Sequence, residues 1–358
     1  MYYAGIPAGR KDLLMREFTG YKKGVNLGGW LSQCVDENYT DEHYASFIGK
    51  ADIDKIASWG CDHVRLPIDY NVIQTDDGDM IEARYAYIDN CIEWCKANGL
   101  KIILDIHKVN GFVFDNTDCF AFFHEDELQA KFIKLWEALA TRYGQLTDMV
   151  TFELLNEVTA REVAEDWNRI SKKTIEAIRK IAPSIRIMIG GIFNSSIYGL
   201  TLMDAPYDEN IVFTFHCYSP LVYTHQNAFW VPTMPKGYTC PYPLTNREMF
   251  ERSHEIFGSD FDAEFDKDSD ALIDTNYFKK LFAPALDVAE KFNVPLYCGE
   301  YGVIDQADCY DAVKWLADIN QALDELNLAR AIWTYKNKDF GLVDEHYAPV
   351  LDQIVKYL

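Results

Sequence analysis

Two runs of apolar residues in this chain end on a glutamate: Met149 to Leu155 leads into Asn156-Glu157, and Val294 to Cys298 leads into Gly299-Glu300. Other runs of the same kind end on further polar or aromatic groups, namely His63-Val64-Arg65-Leu66-Pro67, Asp105-Ile106-His107, His216 with Tyr218, and Trp333. Two carboxyl groups that face one another can divide the cleavage of a glycosidic bond between them. One protonates the departing oxygen while the other deals with the oxocarbenium-like centre. Their surroundings must then differ, because one has to stay protonated near neutral pH and the other ionised. A single glutamate at the end of a strand is ordinarily a solvated loop residue or a salt-bridge partner; the collection of groups carries the reading. The separation of the two carboxyl groups is not written in the sequence.

These groups need a scaffold that gathers strand ends at one mouth, and the chain alternates short β-like runs with helical patterns throughout. The candidate strands are Lys23 to Leu27, Cys61 to Leu66 (ending at Pro67), Leu100 to Ile106, Met149 to Leu155, Ile185 to Ile189, Ile211 to Cys217, Val294 to Cys298 and Ala329 to Trp333. Between them the second half of Leu31 to Trp59 is helical in pattern, Tyr85, Ile88, Ile92 and Cys95 form an apolar stripe ended by Asn98-Gly99, and Trp167, Ile170, Ile178 and Ile181 form another. Apolar runs this short suit buried parallel strands. Strand–helix alternation of this length predicts an α/β fold, a closed (β/α)8 TIM barrel whose working groups lie at the C-terminal strand ends. A doubly wound open sheet is the competing topology, but no GxGxxG follows any strand. One interval is far longer than the usual roughly two to six residues of a βα loop. Ser219 to Thr275, rich in Tyr, Phe and Pro and then acidic, reads as a subdomain inserted after the sixth strand, above the mouth of a single catalytic domain spanning 1–358. Tyr223, Phe229, Trp230, Phe250 and Phe257 give it aromatics that can pack.

Composition limits the partners. The 358 residues are 49% hydrophobic and 25% charged, an ordinary globular balance, but 14% are aromatic, more than a core demands and suited to lining a cleft for flat, apolar-faced ligands such as sugars. With 34 basic against 56 acidic residues the net charge is -22, which repels nucleic acid and anionic membranes and fits a neutral substrate. No stretch approaches the ~18 apolar residues of a membrane span. Nine scattered cysteines, an odd number, and a Met1 to Leu14 segment unlike a secretion signal favour a reducing, cytoplasmic location.

Some conspicuous residues have plainer readings. His63 is expected to be a packed, satisfied histidine even if it points inward with Arg65. Trp30 reads equally as core or as a sugar platform. The acidic stretch Asp260, Asp262, Glu264, Asp266, Asp268, Asp270 fails as a calcium loop, since the required Gly falls on Ala271 and the bidentate Glu on Tyr277, and reads as solvated surface. No CxxC, HxH or HExxH pair is present, so neither a metal nor another cofactor is expected.

The strand-end groups, with Gly24-Val25-Asn26-Leu27-Gly28-Gly29-Trp30 near the start and Ile332-Trp333-Thr334-Tyr335-Lys336 near the end, resemble glycoside hydrolase family 5 over nearly the whole chain. Within that cellulase family the chain looks most like the compact cellulase C type, which lacks a secretion signal and carries a subdomain after strand 6. The resemblance implies that Glu157 is the acid/base and Glu300 the nucleophile of a retaining mechanism. It further implies that Asn156 bonds the sugar 2-hydroxyl, that Arg65 and Tyr218 hold Glu300 ionised, that His216 sits near Glu157, His107 near the sugar in the cleaved subsite, and that Trp333 floors that subsite. The segment around Glu157 departs from the family's usual form at Thr151, commonly apolar, and Val158, frequently Pro. The activity implied is a monomeric endo-β-1,4-glucanase acting on β-glucan or cellulose oligomers. A β-mannanase, a β-1,3-glucanase and, from another class, a non-catalytic carbohydrate-binding barrel are the alternatives.

Overall fold

The apolar runs become eight strands: β1 (Lys23–Asn26), β2 (His63–Asp69), β3 (Lys101–Lys108), β4 (Val150–Glu153), β5 (Arg186–Gly190), β6 (Ile211–His216), β7 (Leu296–Glu300) and β8 (Ala329–Ile332). In the computed structural model, which describes residues 15–34, 37–114 and 119–358, they pair in sequence order, all parallel, and β8 returns to β1 to close a barrel. The (β/α)8 expectation therefore stands. The Met1 to Leu14 segment read as lacking a secretion signal lies outside the described residues.

Strand alternation sorts the side chains. Ile102 and Leu104, Ile187 and Ile189, and Ile211 and Phe213 face outward into the large core shared with the helices, whereas Ile103, Met188 and Val212 turn into the barrel. Helix Tyr85–Ala97 buries its expected stripe and ends at Asn98-Gly99, where Gly99 has φ +68. Phe18 and Tyr21, stacked with centroids 4.3 Å apart, belong to the inward cluster at the bottom of the barrel. Thr151 donates to the Tyr21 hydroxyl at 2.9 Å, which accounts for a polar residue at this position. His63 is fully buried there, with Nδ1 2.6 Å from Asp62 and Nε2 2.7 Å from the Tyr297 hydroxyl, so the packed reading holds. Its ring needs Gly24, where a Cβ would stand 2.2 Å from Nε2.

Most strand limits shift by a residue or two from expectation, and three of the shifts bear on the site. β2 does not stop at Pro67 but runs to Asp69. Arg65 O and Asp69 N both bond towards the β1 side, to Leu27 and Leu31. Pro67 shares their parity, so its missing N–H falls opposite the Gly28-Gly29-Trp30 turn, where β1 has already ended and no ladder bond is lost. β4 ends at Glu153 and β8 at Ile332, each before the residue expected, because the chain there leaves the ladder to present its side chains at the mouth. Trp30 is core: it is fully buried, its indole N–H donating to Tyr44 O at 2.8 Å.

After β6 the chain forms the short helix Leu221–Thr224, the helix Asn246–Phe257 and a 3-10 turn at Asp262–Glu264 before helix Thr275–Leu281. Thr245 and Glu248 close a capping box on the longer helix, which buries Met249, Ser253 and Ile256, and Tyr223 packs on Tyr242. Phe229, expected to pack, is instead 86% exposed, and Trp230 is 40% exposed. All nine cysteines are free, and among the described residues no helix is long and apolar enough to cross a membrane.

Candidate active site

Arg65 is the centre from which the site is built. Alternation along β2 points it into the barrel, fully buried, and it reaches four strands. Nε and Nη2 fork onto Glu153 at 2.7 and 3.0 Å, Nη2 also meets Asp105 at 3.0 Å and the Asn156 side-chain oxygen at 2.9 Å, and Nη1 meets Glu300 at 2.8 Å and Asn26 at 3.0 Å. A planar, permanently charged fork suits such a hub in a way an ammonium does not. The surrounding carboxyl groups hold Arg65 well above its ordinary pKa despite burial, while burial pushes Glu153 up and lifts Asp105 to about 7. Sequence reasoning missed Glu153, Asn26 and, as an Arg65 partner, Asp105. The signal was available for Glu153, since an acidic residue two positions from Thr151 inside a buried run requires a cation.

Glu300 closes β7, and its carboxylate is held on both oxygens, by Arg65 on Oε1 and by the Tyr218 hydroxyl on Oε2 at 2.9 Å. Glu157 follows β4. Its Oε1 lies 2.8 Å from His216 Nδ1 and its Oε2 accepts from Asn194 Nδ2 at 2.9 Å. Asn194, on the loop after β5, was not anticipated; nothing in its spacing marks it. Burial pushes Glu157 up to about 7, opposed by the Asn194 hydrogen bond and by Arg65. Burial also pushes His216 down, so the ring is neutral beside Glu157. One oxygen of each glutamate and one ring nitrogen of His216 all lie within 4.8 Å of one another. Carboxyl groups about 5–5.5 Å apart belong to retaining glycosidases, and about 6.5–9.5 Å to inverting ones.

Among the described residues this trio is the group of donors that could geometrically hold a metal ion. A cation there would compete with Arg65 or Tyr218 for an oxygen of Glu300, and the paired-carboxyl chemistry accounts for the cluster without one.

The rest of the predicted set converges on the same place. Asn156 accepts from Arg65 through its oxygen, which leaves its amide N–H groups for the cleft. His107 shares a 2.6 Å hydrogen bond with Asp105, is stacked on Trp333 with centroids 5.7 Å apart, and is pushed down to about 3 by burial, hence neutral. Gly28 makes room for the indole: a Cβ there would stand 2.7 Å from Trp333 Cη2. His107, Asn156, Glu157, His216, Tyr218, Glu300 and Trp333 line one cleft of about 2220 Å³, with Arg65 beneath them. The same cleft is lined by Phe229, Trp230 and Glu264 from the segment after β6. Glu264 corrects the reading of the acidic stretch. Asp260, Asp266, Asp268 and Asp270 are exposed, but Glu264 accepts from Ser219 Oγ at 3.0 Å and from the Tyr277 hydroxyl at 3.2 Å, and burial pushes it up to about 7.

Comparison with known proteins places this geometry in a family. The chain is 42% identical over 317 residues to cellodextrinase A of Ruminococcus flavefaciens, covering 88% of this chain and 86% of that protein. It is 36% identical over 345 residues to endoglucanase C of Acetivibrio thermocellus, covering 95% and 98%. Among solved structures, Thermotoga maritima Cel5A in complex with cellobiose superposes with a TM-score of 0.73 over 94% of this chain and 97% of that one, at 22% identity, a likeness of fold. The model of the cellulase family, glycosyl hydrolase family 5, matches residues 22–339. With that match and these relatives, the chain belongs to the cellulase family, glycosyl hydrolase family 5.

Proposed function

We infer that the protein is a retaining endo-β-1,4-glucanase that hydrolyses β-glucan and cellulose oligomers. The observation that carries this reading is the pair of glutamates with oxygens within 4.8 Å, one raised to about 7 and the other bound to Arg65 and Tyr218. In the first half-reaction Glu157 gives its proton to the leaving oxygen as Glu300 attacks the anomeric carbon, forming a glycosyl-enzyme ester. In the second, Glu157, now ionised, takes a proton from water as that water attacks the same carbon and releases Glu300. Two inversions restore the original anomer. The Asn156 amide is placed to donate to the 2-hydroxyl beside the reacting carbon, while His107 and Trp333 form the wall and floor of the cleaved subsite.

The β-1,4-glucan specificity draws its support from the endoglucanase and cellodextrinase relatives and from a cleft large enough for several sugar rings. The segment 219–275 serves as a subdomain along one wall of that cleft, where Phe229 and Trp230 offer exposed aromatic faces to a bound chain. The eight residues make a complete site within one chain, as a monomeric enzyme requires, and nine free thiols support a reducing, cytoplasmic setting. The test is hydrolysis of barley β-glucan, carboxymethylcellulose, glucomannan and laminarin, with products resolved by size and anomer. Early release of mixed β-anomeric cello-oligosaccharides supports the reading. A preference for glucomannan or laminarin, or release of a single small product from chain ends, overturns the specificity.

A further inference from the structure

Three consecutive residues, Phe193, Asn194 and Ser195, hold left-handed backbone, with φ of 57°, 56° and 49°. Asparagine visits that region with little penalty, but phenylalanine and serine do not, and a run of three non-glycine residues there persists only where the surroundings enforce it. Here they do. A Cβ on Gly191 would stand 2.4 Å from the Gly199 carbonyl carbon, and one on Gly199 would stand 2.0 Å from Ile192 O, so two glycines press the turn shut. Ser195 is buried, with its hydroxyl 2.6 Å from where a Gly190 Cβ would be. The Arg161 guanidinium covers the Phe193 ring at 3.9 Å, and Asn194 N donates to Val158 O at 3.0 Å. Val158 and Arg161 belong to the loop that carries Glu157. The strained turn is thus fastened to that loop, and its outcome is the 2.9 Å hydrogen bond from Asn194 Nδ2 to Glu157 Oε2.

We propose that Asn194 is a positioning residue for Glu157: the left-handed turn aims its amide at Oε2 so that the carboxyl group keeps one orientation while it alternates between acid and base. The proposal rests on the assignment of Glu157 as acid/base. The two oxygens of Glu157 meet different partners, His216 Nδ1 at Oε1 and the Asn194 amide at Oε2. An N–H donor binds a carboxylate more strongly than a carboxylic acid. Asn194 therefore favours the form left after the leaving group is protonated, which is also the base that the second half-reaction needs. The other charged or titratable groups facing Glu157 are His216 and Tyr218 at the end of β6, Glu300 on β7, Arg65 on β2, Asp105 and His107 on β3, and Arg161 on its own loop. Against this background Asn194 offsets burial, which alone would drive the group further from the ordinary carboxylate range.

The experiment compares Asn194→Gly, Asn194→Asp and the unmodified enzyme. Glycine relieves the backbone strain and removes the amide, whereas aspartate keeps the size and the tolerance of left-handed backbone but replaces a donor with an acceptor. Three readouts are taken: the melting temperature, the pH profile of kcat/KM on cellotetraose, and kcat on dinitrophenyl β-cellobioside, whose leaving group needs no proton. For Asn194→Gly the melting temperature should hold or rise, while the alkaline limb of kcat/KM moves up by about one pH unit, a tenfold change in protonation ratio. At neutral pH, kcat on the dinitrophenyl substrate should fall by about fivefold as the base form becomes scarcer. Asn194→Asp should move the limb further, because a second carboxylate opposes ionisation of Glu157. A folded glycine or aspartate variant with the limb unmoved overturns the proposal, as does lost activity with a lost melting temperature and an unmoved limb, the mark of a purely structural turn. Glu157→Ala separates this from failure of the underlying assignment. If the limb survives in Glu157→Ala, the acid/base is another group; if it vanishes there but stays put in Asn194→Gly, the positioning role alone falls.

Discussion

Replacing Glu157 with glutamine should make the protein more stable, and increasingly so as pH rises. Burial raises this carboxyl group from 4.5 to about 7 in the folded chain. An acid whose folded pKa lies above its unfolded value contributes nothing below the unfolded value, because both states are then protonated. Between the two values the unfolded chain loses its proton first, so stability falls as pH rises, and the penalty reaches its full size above about 7. The difference from 4.5 to about 7 corresponds to roughly 3 kcal/mol. That is a ceiling, since the side chain is 13% exposed and water reaches it. With an unfolding entropy of about 2.1 cal/mol/K per residue, 3 kcal/mol in a chain of 358 residues is a rise of about 4 °C in Tm. Glutamine has nearly the same shape and leaves every other titrating group in place, so subtracting the two Tm curves across pH cancels most of the background. Calorimetry of both proteins should give a difference that is small in mild acid, grows through neutrality and levels off above it. A constant difference, or one that shrinks with pH, would refute the buried, elevated carboxyl.

Three further outcomes follow from the same geometry. Arg65→Met should cost about 3–5 kcal/mol, because Glu153 and Glu300 lose their buried cation, and denaturant unfolding would show it; Arg65→Lys should recover only part, since an ammonium cannot repeat the fork. Trp333→Ala should lower kcat/KM on cellotetraose by roughly tenfold or more, whereas Trp333→Phe, which keeps an aromatic face, should stay within a few-fold; equal losses would make Trp333 packing alone. Removing Phe229 and Trp230 together as alanines should raise KM for long cello-oligosaccharides by roughly fivefold to tenfold, with little change for cellotriose; Tm should fall slightly, because Trp230, 40% exposed, also packs on His225 and Phe340.

The barrel was legible because its code is repetitive: each strand is a short apolar run, and the alternation of strand and helix leaves few topologies. Arg65 and the two glutamates could be singled out because they stand where such runs end. The misses share a cause, namely tertiary contacts that no local pattern announces. Pro67 reads as a stop only if β1 is assumed to continue beside it, and it does not. Glu264 sits among solvated aspartates and differs from them only because Ser219 and Tyr277 meet it across the fold. Trp30 and Trp333 each follow the end of a strand, yet only the second faces the cleft. Asn194 depends on a left-handed turn that its own sequence disfavours and that Gly191, Gly199 and Arg161 impose from outside.

The division of labour between Glu157 and Glu300 is tested most directly by the stereochemistry of azide rescue on an activated aryl cellobioside. With Glu157→Ala the leaving group departs unaided and Glu300 still forms the glycosyl-enzyme, so azide should accelerate turnover and give the β-glycosyl azide. With Glu300→Ala no such ester can form, and azide entering the vacated space should attack from the opposite face and give the α-glycosyl azide. On cellotetraose each variant should lose at least roughly 10³-fold in activity. Exchanged azide configurations would reverse the two roles, and an inverted anomer from the unmodified enzyme would contradict the double displacement itself.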